Sequence, residues 1–210
     1  MTGTGAADDK ETLLGYLRLR RADLLAKLDG LDEYDVRRPM TPTGTNLLGL
    51  VKHVASVQVG YLGEVFGRPS DLDLPWFADD APPDADLWVP AEETREQIVA
   101  LHHASARHSD ATVEALEIDA RGEVSWWPPE RREVTLHQML VHVCVETARH
   151  AGHADIIREL IDGAAGNGPA DPNLTPRTAE DWAAHRARIE DAARAAAAQA
   201  AAGRQSSAST

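Results

Sequence analysis

The chain has 210 residues, 43% of them hydrophobic, a net charge of −13 and one cysteine. That length suits one domain with a full core plus an appendage. No apolar run approaches the roughly 18–20 residues of a membrane span, and an acidic surface is the wrong partner for nucleic-acid phosphates. The lone Cys144 excludes an internal disulfide framework, and the polar start "MTGTGAADDKE" lacks the apolar stretch of a signal peptide, so a reducing cytoplasm is the expected location.

Four long segments carry helical periodicity and none has the alternation of a strand. The first covers residues 9–29, with Leu14, Leu17, Leu24, Leu25 and Leu28 as its apolar stripe. After the turn "RRPMTPTGT" a second helix is expected over residues 46–66, capped by Thr43 or Thr45. A loop rich in Pro and Asp, "GRPSDLDLPWFADDAPPDADLWVP", leads to a third helix near Thr94, where Thr94 and Gln97 have capping-box spacing; it runs to about Leu116. Thr135 and Gln138 repeat that spacing before a fourth helix that ends at Asp162–Gly163.

Beyond it, residues 164–177 read as a Gly/Pro/Asn linker, and residues 178–210 as an alanine-rich helical tail capped by Thr178 and Asp181, its last residues disordered. The expected fold class is all-α: a four-helix bundle over residues 1–163 with long connections between its helix pairs.

The stretch "HVCVETARHAGHADI" in the fourth helix concentrates three histidines and a glutamate. On a helical wheel Glu146 and His150 lie within the arc of Leu136, Met139, Val143, Ile157 and Ile161, while His142 and His153 lie at its edge. A carboxylate on a buried face is costly unless it is paired or holds a cation. Glu146 and His150 are four residues apart and project toward one point. His142 and His153 are about 16 Å apart along the axis and cannot share one ion.

A third ligand from a facing helix is offered by His53, the one histidine of the second helix. Two histidines and a glutamate would leave coordination positions open, as catalytic zinc or nickel sites do. The spacing alone leaves two other readings open: Glu146 paired with Arg149 or another arginine, and His150 as a core histidine. Arg149 itself reads as half of a surface ion pair, or as a hold for an anionic substrate. His102, His103, His108 and His185 have no partner at helical spacing on a clearly buried face.

The blocks "LDGLDEYDVRRPMTPTGTNLLGLVKHVASVQVGYLGEVFG" and "TLHQMLVHVCVETARHAGHADIIRELIDG" resemble the DinB/YfiT-like metalloprotein superfamily. The similarity is closest to its actinobacterial branch of mycothiol-dependent S-transferases and the N-terminal domain of mycothiol-dependent maleylpyruvate isomerase. It covers about residues 10–163. The resemblance implies an antiparallel four-helix bundle and a divalent metal, Zn2+ or else Ni2+ or Mn2+, on His53, Glu146 and His150. "ETARH" matches the branch in which the middle ligand is a glutamate.

His153 stands where many relatives have glutamine, and is a pocket group or a partner of a ligand. The implied activity is transfer of a small thiol, mycothiol, to an electrophilic small molecule in detoxification. That electrophile would sit near His153 and the loop of Trp126 and Trp127, though the tryptophans themselves read first as ordinary apolar packing. A metal-dependent hydrolase and a non-catalytic metal-binding bundle are the alternatives. Neither nucleic acid nor membrane is an expected partner, and a homodimer through a helix face is compatible with the fold. Beyond residue 163 the expectation is a linker and a helix-like tail in place of the isomerase's second domain, which favours simple thiol transfer.

Overall fold

The computed structural model describes residues 4–167 and 171–207. It divides into a first unit ending at Pro169 and a second beginning at Ala170. The chain is mostly helical, as its periodicity predicts. The first unit holds α1 (Thr4–Ala26), the short α2 (Glu33–Arg37), α3 (Leu47–Tyr61), α4 (Arg95–Ala115) and α5 (Leu136–Asp162). The second holds α6 (Ala179–Ser207).

Local chemistry sets the helix ends. Both predicted capping boxes form, at Thr94/Gln97 and at Thr135/Gln138. Gly163 stops α5 in the left-handed conformation (φ 81°), where a side chain would be strained. α3 is capped by Asn46, whose side-chain oxygen accepts from the Gly49 N–H at 2.8 Å, and not by Thr43 or Thr45. It also ends at Tyr61, short of residue 66, in a separate 3-10 turn over Glu64–Phe66. Helix α2 was not anticipated, because five residues are too few to show a period. In the second unit, Thr178 and Asp181 cap α6 reciprocally. That helix continues through Ser207, further than expected, and residues 208–210 lie outside the described residues.

Two strands were also missed: β1 (Arg121–Glu123) and β2 (Glu133–Thr135) pair antiparallel, with Gly122 opposite Val134. Three residues give too little alternation to read. The ribbon closes the loop that carries Trp126 and Trp127.

Helix α1 packs on α5 and α4, and α3 packs on α4 and α5. The directions differ from the all-antiparallel arrangement expected. Cys144 meets the Leu13 carbonyl while Arg158 meets those of Lys27 and Asp29, so α1 and α5 run the same way. Lys52 meets Glu93 and Arg68 meets Thr112, so α3 and α4 also run together. The connection over residues 62–94 is long enough to return along the helices before α4 begins, which permits a parallel pair.

The core has two apolar clusters. One contains Leu24, Leu28, Leu48, Val51, Ile98, Ala154 and Ile157; the other contains Leu14, Leu17, Leu62, Val113, Leu136, Met139 and Val143. On each of the four long helices of this unit a buried polar residue separates them: Arg21, Gln58, His102 with Ser105, and Thr147. Next to this polar waist, where α3 faces α5, stand His53, Glu146 and His150.

Candidate metal centre

His53 lies on α3 and Glu146 and His150 on α5, the last two stacked by the four-residue helical repeat. The His150 Nε2 is 2.9 Å from Glu146 Oε1, and the His53 Nε2 is 3.4 Å from the same oxygen. One ligand atom from each of the three residues lies within 4.8 Å of the others. All three side chains are half-buried, Glu146 the most open at 30% exposure.

A fourth residue, unseen in the sequence, completes the arrangement. Asp86 reaches in from the long loop, its Oδ2 2.6 Å from His53 Nδ1. The loop is stitched to α3 by further contacts. Asn46 donates to the Leu87 carbonyl at 3.3 Å and Trp76 Nε1 donates to Ser56 Oγ at 2.9 Å. The fully buried Lys52 bonds Glu93 at 2.8 Å and lies 4.0 Å from the Trp76 ring centre. Those anchors explain a lysine on the buried face of α3. No spacing rule singles out Asp86 among the many aspartates of an aperiodic loop.

Burial disfavours charge on His53, but the hydrogen bonds and charges of Asp86 and Glu146 outweigh it and raise its pKa. Burial likewise opposes ionisation of Glu146 and Asp86, and their histidine partners overcome it, so both carboxyls titrate below their ordinary values. His150 goes the other way: burial, then the charge of His53, lower its pKa against the pull of Glu146.

These facts test the fit of a cation. A neutral His53 that donates Nδ1–H to Asp86 turns the lone pair of Nε2 toward Glu146 Oε1, so acceptor faces acceptor. A proton on His53 relieves that opposition, and so would a divalent ion shared by both groups. Two imidazoles and a carboxylate are a common zinc donor set, and a carboxylate behind a ligating histidine fixes its tautomer. Donors bound at about 2.1 Å around a tetrahedral ion sit roughly 3.4 Å apart. Both spacings from Glu146 Oε1 are at or below that, while the three ligand atoms together span up to 4.8 Å. The donor set is one that could hold a divalent ion.

The other predicted residues fall around this cluster. His153 is exposed, its ring 5.4 Å from that of His150. His142 stacks edge-on against Tyr61 and Trp127 at 4.6 and 5.4 Å, away from the three ligand candidates. Cys144 donates to the Leu13 carbonyl at 3.3 Å, and burial pushes its thiol pKa up. Arg149 is exposed. His102 corrects the sequence reading: it is buried in the polar waist, only 2% exposed. Tyr61 packs among His142, Trp126 and Trp127, a grouping the sequence did not mark, because an aromatic on a helix face reads as core.

Residues 12–163, most of the chain, match the family model described as mycothiol-S-transferase. The chain belongs to the mycothiol-S-transferase family. The match spans α3, α4 and α5, ends where α5 ends and leaves α6 outside. Among solved structures, a conserved protein from Enterococcus faecalis is similar at 18% identity with a TM-score of 0.51, over 73% of this chain and 96% of that one. That likeness speaks for the fold alone. No curated protein matches the sequence.

Proposed function

We propose that the protein is a divalent-metal-dependent S-transferase that joins mycothiol to an electrophilic small molecule, with His53, Glu146 and His150 as the metal ligands. The observation that carries the reading is the convergence of two imidazole nitrogens on one carboxylate oxygen, in a family of mycothiol transferases. A divalent ion, zinc by its donor set, supplies the Lewis acidity that keeps a thiol ionised at neutral pH.

The protein's own residues do the rest. Asp86 holds His53 in the tautomer that turns Nε2 inward. His153, exposed beside His150, stands at the approach as a pocket group. The thiol releases its proton to solvent, a sulfur lone pair makes the new C–S bond, and the bond to the departing group breaks with its electron pair on that group. The aromatic loop of Trp126 and Trp127 borders the space open to the electrophile.

The same reading takes the pairings of α1, α3, α4 and α5 as a four-helix bundle of the DinB/YfiT kind. Residues 1–163 form the DinB-like functional domain, and residues 164–177 link it to the alanine-rich tail. No described helix is long and apolar enough to cross a membrane; a cytoplasmic detoxification role is part of the proposal.

The test is metal content by mass spectrometry of wild type, Glu146→Ala and His150→Ala, with thiol consumption measured alongside. A stoichiometric ion in wild type, lost from both variants, with turnover that requires added mycothiol, is the expected result. No ion after reconstitution with zinc, nickel or manganese overturns the metal assignment. Turnover without any thiol makes the protein a hydrolase instead.

A further inference from the structure

We infer that the cavity between α3 and its two flanking aromatic loops seats the electrophile, and that it selects an uncharged or cationic molecule bearing a flat apolar group of one or two rings. The inference rests on the transferase reading and names the substrate class of that site.

The cavity has a volume of about 520 Å³, within the range of small-molecule pockets. Its floor is Val57 and Gly60, one wall is Tyr61 and Trp126, the other is Leu74 and Phe77, and Glu64 stands at its rim. Val57 and Tyr61 lie one and two turns beyond His53, so the floor begins about 6 Å along α3 from that residue. On the facing helix His142, whose ring is 4.6 Å from that of Tyr61, is one turn before Glu146. The cavity and the metal candidate therefore share the face of α3 that carries His53, Val57 and Tyr61.

Two features make this a ring site. Trp126 and Phe77 are each 51% exposed, a large aromatic surface held open at the walls. The backbone of the loop that carries Trp126 is tied down. The β1–β2 ribbon closes its loop, and the Arg132 guanidinium donates to the Trp127 carbonyl at 2.8 Å. The ring lies against the helix at Gly60, where an added Cβ would meet it at 3.4 Å, an ordinary contact.

The polar inventory sets the charge preference. Ser56 Oγ is committed, accepting from Trp76 Nε1 and donating to the Lys52 carbonyl. The Tyr61 hydroxyl accepts from Trp127 Nε1 at 3.3 Å, which leaves only its own proton to offer. No lysine or arginine lines the cavity, while Glu64 does. The segment bearing Leu74 and Phe77 also carries Asp71, Asp73, Asp79 and Asp80, all exposed and outside the lining. The buried Lys52 is engaged by Glu93. Glu64 is the one charged residue among those lining the cavity, so in the metal-free protein a carboxylate or phosphate on the ligand would meet like charge there, and a polyol would find too few partners for its hydroxyls.

Isothermal titration of the metal-free and the zinc-loaded protein tests this with four probes: 2-naphthalenemethanol, (2-naphthylmethyl)trimethylammonium, 2-naphthoate and myo-inositol. In the metal-free protein the alcohol and the cation are expected to bind, the cation at least as tightly, and naphthoate about tenfold more weakly or worse; the zinc-loaded protein reports whether the ring site persists with metal bound. Glu64→Gln brings the cation down to the alcohol. Gly60→Leu, a good helix former that fills the floor, weakens both by about tenfold or more with zinc content unchanged. Naphthoate binding as well as the alcohol, or a Gly60→Leu variant with unaltered ring binding, overturns the assignment. Preferential inositol binding overturns it too, giving the cavity to the thiol's sugar. Failure of the transferase reading is separate: wild type would bind the rings yet take up no metal and consume no thiol.

Discussion

Asp86→Ala removes the group that orients His53, and its effect on metal affinity can be sized from the geometry. The Asp86 Oδ2 to His53 Nδ1 distance of 2.6 Å is that of a charge-assisted hydrogen bond. The pair is largely shielded from water, at 16% and 14% exposure. Water therefore replaces the lost carboxylate only in part, and the ring is free to turn its Nε2 away from Glu146. Partners of this kind are worth about 10–100-fold in metal affinity, or roughly 1.4–2.7 kcal/mol.

Asp86→Asn keeps an amide oxygen that accepts the Nδ1–H and loses only the charge, so its deficit should stay below about tenfold. Competition for zinc against a chromophoric chelator reads both variants, with thermal unfolding of the metal-free proteins as a check on folding. Alanine and wild type binding zinc within a factor of about two would refute the positioning role. An asparagine variant as impaired as alanine would show that charge, and not orientation, carries the effect.

Gly49→Ala should destabilise the fold by about 1–3 kcal/mol in urea titrations, more than the alanine gains in helix propensity. Its Cβ would run into the Leu87 backbone, with the carbonyl carbon at 2.6 Å. The displaced loop carries Asp86, so zinc affinity should fall as well. Burial, aided by the charge of Arg21, pushes His102 down to about 4 from 6.5. The unfolded chain therefore binds a proton that the folded one refuses. Stability from this residue is intact above pH 6.5 and is lost as pH falls from 6.5 toward 4, about 2–3 kcal/mol at pH 4.5. His102→Leu should flatten that share of the acid slope between pH 7.5 and 4.5, and an unchanged slope would contradict it. Thr135→Ala removes the hydroxyl that accepts the Gln138 N–H at 3.3 Å. It should cost about 1 kcal/mol by thermal unfolding and leave zinc affinity alone, since Glu146 lies three turns further along α5.

The sequence by itself determined what is local. Periodicity located α1, α3, α4 and α5, and capping chemistry placed the starts of α4 and α5, because a helix end is decided by residues three or four apart. The same pitch brought Glu146 and His150 to one point before any tertiary contact was known. With His53, those residues also made the family legible.

The tertiary structure decided what depends on distant contacts. The direction of α4 follows from a loop that returns along the helices, and no local pattern records where such a loop goes. Asp86 meets His53 only because Lys52, Asn46 and Ser56 pin that loop to α3. The polar waist was hidden too: Arg21, Gln58, His102 and Thr147 are scattered along the chain and become one layer when the four helices pack. Helical pitch acts over a few residues, whereas a loop's course and a layer's level are set by packing across the whole first unit.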